Sequence, residues 1–166
     1  MKADPRKKSG SESVDKKQYI VYFDGLCEPR NPGGVATYGV VVKERGKTVF
    51  QEAGLALAKP WTSEASNNVA EYSALIQGLQ WLKNNNLQNS STLIRGDSRL
   101  IINQMRGLFK VKAKRLVELH LTAVRLQSEF KDIHFEWIDR SLNKEADLLS
   151  RVAYSRYMKS YRKEVL

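Results

Sequence analysis

The chain has 166 residues, 42% of them hydrophobic, and 28 Lys and Arg against 18 Asp and Glu give it a formal net charge of +10. That size and apolar content suit one compact domain with its own core, and no apolar run reaches the roughly 18 residues needed to span a bilayer. A single cysteine, Cys27, excludes an internal disulfide, and two histidines are too few for a Cys/His zinc cluster.

Residues 1–17 hold six Lys or Arg and three Asp or Glu without apolar periodicity, so a disordered basic tail is expected ahead of a folded domain at 18–166. The tail lacks the apolar stretch of a secretory signal, and a cytoplasmic, monomeric protein without a membrane partner is the expectation. The other 22 basic and 15 acidic residues make the body itself basic. That favours a polyanion partner such as nucleic acid, although charge alone equally fits a generic basic protein.

The apolar run Tyr19–Phe23 predicts a strand at 18–24, closed by Asp24 and a Gly- and Pro-rich loop. Two apolar stretches around Arg45-Gly46-Lys47 predict a hairpin with strands at 35–44 and 48–57. From Asn68 the spacing of Tyr72, Leu75, Ile76, Leu79 and Leu82 predicts a helix that ends in the Asn run at 84–86. A short strand then reaches Asp97, and a helix runs through Met105 to Gly107. Leu116, Leu119, Ala123, Leu126 and Phe130 mark another helix, and 133–138 a last strand. Asn143 is a suitable N-cap for a final helix reaching about residue 160. This order implies an α/β fold, a mixed sheet with helices on its faces.

Four acids fall at strand ends or helix starts. Asp24 and Asp97 close apolar strands, and Glu71 and Asp147 lie in the first turns of the first and last helices. Strand ends and helix starts meet at one edge of such a sheet, where ligand sites gather. Converging carboxylates would repel unless protonated or bound to a hard divalent cation. Taken singly, each acid has an ordinary reading as a helix N-terminal charge or a turn residue.

The segments YFDGLCEPRNPGG, NNVAEYSALIQGL, RGDSRLIINQMRG and NKEADLLSR resemble, in order and approximate spacing, the motifs of type 1 ribonuclease H across residues 18–155. The resemblance implies the ribonuclease H-like fold, with a five-stranded mixed sheet flanked by helices. It further implies endonucleolytic cleavage of the RNA strand of RNA/DNA hybrids by two Mg²⁺ or Mn²⁺ ions, giving 5′-phosphate and 3′-hydroxyl products. Asp24, Glu71, Asp97 and Asp147 would be the catalytic metal ligands, with Asp24 shared by both ions. Asn67 and Asn68 would meet ribose 2′-hydroxyls, a role their two-way amides suit, although an asparagine there also fits a helix cap. Ser66 would donate to a phosphate, and Asn31 is a further substrate contact.

The chain also departs from the family pattern. The loop histidine that many members carry before the last acid is missing; Arg140 or Asn143 is expected to stand in, and the compact loop resembles archaeal-type members. Arg99 replaces a common glutamine and could grip phosphate. The basic extension between the middle helices is absent, and Lys110, Lys112, Lys114 and Arg115 join them directly, placed to follow phosphates of the DNA strand. Cys27 is expected to pack in its loop, His120 and His134 to be structural, and Asp139 to be either near the site or a solvated loop residue. Two other readings stay open: cleavage of double-stranded RNA, and noncatalytic binding of hybrid or double-stranded RNA.

Overall fold

The computed structural model describes residues 18–166, and the expected tail at 1–17 lies outside them. The chain lays down strands β1 (Tyr19–Glu28), β2 (Val35–Glu44) and β3 (Lys47–Leu55), helix α1 (Asn67–Asn84) and strand β4 (Ser91–Gly96). Helices α2 (Arg99–Met105) and α3 (Lys114–Ser128), strand β5 (Asp132–Trp137), a 3-10 turn at Arg140–Leu142 and helix α4 (Lys144–Val165) follow. The strands form one sheet in the order β3-β2-β1-β4-β5. β1, β2 and β3 pair antiparallel, whereas β4 joins β1 and β5 joins β4 in parallel. This is the expected mixed five-stranded sheet.

β2 is buried continuously from Val35 to Val42, which requires cover on both faces. Val40 faces α1, where a side chain at Gly78 would press on Val21 and Val40. Residues of the other parity meet α4: Thr37 Oγ1 donates to the Ser150 carbonyl at 2.8 Å, and Gly39 lies against Ala146. Because a strand alternates its faces, α1 and α4 lie on opposite sides of the sheet. α1 is apolar around most of its circumference because it sits between the sheet and α3, with Tyr72, Leu75, Leu79 and Leu82 fully buried. Each such side chain contributes about 1.5–3 kcal/mol of burial free energy.

The β2–β3 hairpin closes on Arg45 (φ 47°) and Gly46 (φ 83°), both left-handed, as a two-residue type I′ turn demands. Two elements outrun their expected ends. β1 continues past Asp24 to Glu28 because it pairs with β2 as far as Val35. α4 reaches Val165, and its second half is anchored by aromatics: Trp61 Nε1 donates to Tyr157 Oη at 3.2 Å and its ring lies 5.2 Å from that of Tyr161. Among the described residues no helix is long and apolar enough to cross a membrane.

Candidate active site

The sheet splits at one place. Parallel pairing of β1 with β4 ends at Phe23 and Gly96, while β1 runs on against β2 alone. The next residue on each strand is an acid, Asp24 on β1 and Asp97 beyond β4. Asp24 is therefore not at a strand end, as its sequence context suggested, but mid-strand opposite Gly39, where one neighbouring strand has departed. Such split points at the carboxyl ends of strands are where open sheets hold ligands.

Two glycines bring the helices in. A Cβ on Gly25 would lie 2.5 Å from the backbone nitrogen of Glu71, so only glycine lets α1 approach this closely. A Cβ on Gly39 would collide with the Ala146 carbonyl of α4. Ser66 caps α1, its Oγ accepting from the Val69 N–H at 3.2 Å, so Glu71 falls in the second turn and not the first. Asp147 does lie in the first turn of α4.

Carboxylate oxygens of Asp24, Glu71 and Asp97 lie within 4.8 Å of one another. Asp24 and Glu71 are buried, at 6% and 8% exposure. At an effective dielectric of about 20, unit charges this close repel by on the order of 3 kcal/mol per pair. Burial, then the charges of Asp97 and Asp147, push Asp24 up to about 7, although the Gly25 N–H donates to its Oδ1 at 2.9 Å. Burial, then the charges of Asp24 and Asp97, push Glu71 well above the usual carboxylate range. Buried Glu71 Oε2 has no hydrogen-bond partner among the described residues. An all-oxygen donor set with an unspent buried lone pair fits a hard divalent cation. Asp147 stands apart from this triad, both its oxygens accepting from Arg151 Nε at 3.2 Å.

The other candidates sort by what holds them. Asn67 is exposed and Asn68 half-buried, and neither side-chain amide has a hydrogen bond among the described residues. Asn31 Oδ1 accepts from the Asn67 backbone N–H at 3.0 Å, which fixes the start of α1. Asn31, Ser66, Asn68 and Arg115 line a polar cavity of about 230 Å³. Arg115 also donates to the Ser63 carbonyl at 2.8 Å. The Arg99 guanidinium lies 4.2 Å from the Trp137 ring centroid, and Trp137 Nε1 donates to the Asp97 carbonyl at 3.1 Å. Lys112 and Arg140 are exposed.

Asn143 differs from its expected role. It is 1% exposed, makes no side-chain cap to α4, and donates from Nδ2 to the Phe23 carbonyl and to Asp97 Oδ1, both at 2.9 Å. That burial takes it away from any substrate surface. Asp139 caps the 3-10 turn through Ser141, whose hydrogen bonds hold its carboxyl below the usual range. Cys27 Sγ donates to the Arg30 carbonyl at 3.0 Å inside its loop. His120 Nδ1 lies 3.1 Å from Tyr72 Oη and His134 Nε2 lies 2.9 Å from Asp132 Oδ1, so both histidines have structural partners. Sequence reasoning does not single out Arg151 or Trp137. Arg151 was findable as a cation four residues after Asp147 on a helix, whereas nothing local marks Trp137.

Residues 23–153 match the Reverse transcriptase-like family. The chain is 39% identical over 123 residues to a bifunctional protein of Mycobacterium tuberculosis, covering 74% of this chain and 32% of that protein. It thus spans about a third of the length of the mycobacterial relatives it matches. Ribonuclease HI of Halobacterium salinarum is 32% identical over 132 residues, covering 80% of this chain and 62% of the relative. Among solved structures, LC11-RNase H1, from a compost metagenome and in complex with RNA/DNA hybrid, superposes with a TM-score of 0.74. It is 33% identical and the match covers 84% of this chain and 99% of that one.

Proposed function

Because the chain belongs to the type 1 ribonuclease H family, we propose that it is a metal-dependent endonuclease hydrolysing the RNA strand of RNA/DNA hybrids, with 5′-phosphate and 3′-hydroxyl products. The observation that carries this reading is the convergence of Asp24, Glu71 and Asp97 within 4.8 Å. Similarity to LC11-RNase H1, a hybrid-bound protein, supports the substrate.

Asp24, Glu71, Asp97 and Asp147 are the residues that would hold two Mg²⁺ or Mn²⁺ ions. When bound, such ions supply an attacking water of lowered pKa and neutralise the leaving 3′ oxygen. Asp24 feels the charges of both Asp97 and Asp147, which suits it to shared ligation. Its carboxyl keeps a proton to about pH 7, and that of Glu71 beyond the usual range, so ligation at these oxygens releases protons. Asn67 and Asn68, the uncommitted amides at the start of α1, would meet ribose 2′-hydroxyls and so tell RNA from DNA. Arg99, laid on Trp137, and the exposed Lys112 and Arg140 would contact phosphates. Ser66 and Asn31 shape the polar cavity beside them.

The test is one labelled RNA strand, paired with DNA, paired with RNA, or left single, incubated in Mg²⁺, in Mn²⁺ and in EDTA with the protein and its Asp97→Asn variant. Metal-dependent cutting of the hybrid, lost in the variant, is expected. Binding without cutting in either metal would overturn the catalytic reading, and the RNA/RNA lane measures how strictly hybrid is required.

A further inference from the structure

Asn143 stands at the joint between three elements of the site. Its Nδ2 donates to the carbonyl of Phe23, the last residue of β1 to pair with β4, and to Oδ1 of Asp97, the first residue beyond β4. Its own carbonyl accepts from the Asp147 N–H at 3.1 Å, in the first turn of α4. The amide thus fills the gap where the parallel ladder stops, and it spans the opening between the strands that carry Asp24 and Asp97.

The chemistry of the partners fixes the orientation. The Phe23 carbonyl is an acceptor only, so the NH₂ end must face it, and Oδ1 must point elsewhere. That oxygen is buried without a hydrogen-bond partner among the described residues. An unsatisfied buried acceptor carries a desolvation cost, so the side chain is held in place for its two donors. A neutral amide has a further property here. It can restrain a carboxylate without competing for it as a cation would, in contrast to Arg151, which pairs with Asp147 through charge. Trp137 holds Asp97 from its backbone side, donating from Nε1 to the Asp97 carbonyl.

We propose that Asn143 is a positioning residue that locks the Asp97 carboxylate, and with it the spacing of the acid cluster, for divalent-cation binding. The proposal rests on the reading of the acids as metal ligands. Hydrogen-bonding partners behind metal ligands are typically worth about 10- to 100-fold in metal affinity or activity.

The experiment titrates Mn²⁺ calorimetrically into the full chain and its Asn143→Ala variant, with circular dichroism melts in EDTA and steady-state hybrid cleavage alongside. Expected are a cooperative melt, Mn²⁺ affinity weakened about tenfold or more, and a fall in kcat with KM for hybrid unchanged. A merely structural asparagine would lower the melting temperature and leave Mn²⁺ affinity and kcat of the folded protein alone; that result overturns the proposal. Should Asn143→Ala not fold, Asn143→Gln keeps the amide but displaces it by one methylene. A fewfold loss of Mn²⁺ affinity in that variant supports the proposal, and wild-type affinity overturns it. Failure of the unsubstituted chain to bind Mn²⁺ would overturn the metal reading itself, and the proposal with it.

Discussion

The α1 side and the α4 side of the acid cluster each deliver one carboxylate, under opposite conditions. Glu71 arrives on a helix enclosed between sheet and α3; it is buried and one oxygen has no partner. Asp147 arrives at the exposed head of α4, its side chain 28% exposed and already paired with Arg151. The charge of Glu71 is tolerable only with a cation or a proton, whereas that of Asp147 is compensated before anything binds. Burial, and not residue type, separates the two carboxylates.

Swapping each acid for its amide tests the contrast most strongly. On the proposed reading, Glu71→Gln should lower hybrid cleavage by on the order of 10³-fold, since several kcal/mol of transition-state stabilisation would depend on the ions it would hold. Asp147→Asn should cost only about 10- to 100-fold, the scale of an outlying ligand or its support. Equal losses under saturating Mg²⁺ would erase the distinction between the two sides.

Metal-free stability should separate them next. The folded state holds Asp24 near 7 against an ordinary 3.8, and Glu71 well above its ordinary range, so between about pH 4 and 7 it binds more protons than the unfolded chain. Stability in EDTA should therefore fall as pH rises through that window, by up to a few kcal/mol. Divalent cation should reverse the trend. Thermal melts should show a shallower decline for Glu71→Gln and an almost unaltered one for Asp147→Asn. A rise in melting temperature with pH in EDTA would break this account.

The glycine contacts give a third comparison. Gly25→Ala and Gly39→Ala each force a helix backbone away from the sheet, at a cost of about 1–3 kcal/mol. Urea melts should register both, but only Gly25→Ala should displace the buried Glu71 carboxylate and sharply raise the Mg²⁺ needed for half-maximal cleavage. Arg151→Ala should have the smallest effect. An exposed i,i+4 pair is worth about 0.3–0.5 kcal/mol, so stability should barely move. Releasing Asp147 should lower the half-saturating Mg²⁺ concentration slightly, and an increase would show that Arg151 aids loading.

Much of this site was legible because the acids sit beside unmistakable patterns. The apolar run into Asp24, the heptad-like face from Tyr72 to Leu82 and the short strand into Asp97 are local signals, and local signals fix element type. What escaped depends on distant partners. β1 outruns Asp24 only because Val35 and its neighbours pair with it. Glu71 moves into the second turn because Ser66, not an asparagine, supplies the cap. Asn143 has the composition of an N-cap, and only the nearness of Phe23 and Asp97 turns its amide inward. No spacing rule announces that the sheet parts between Asp24 and Asp97, since the parting belongs to two strands at once.

The bond from Asn143 to the Phe23 carbonyl joins positions 120 residues apart. Closing a contact that distant in sequence costs more loop entropy than closing a hairpin or a helical turn. The four acids are together only with α4 in place, so the cleavage proposed for them would depend on the completed fold. On that reading, the joint that shapes the site would tie cutting to the whole molecule.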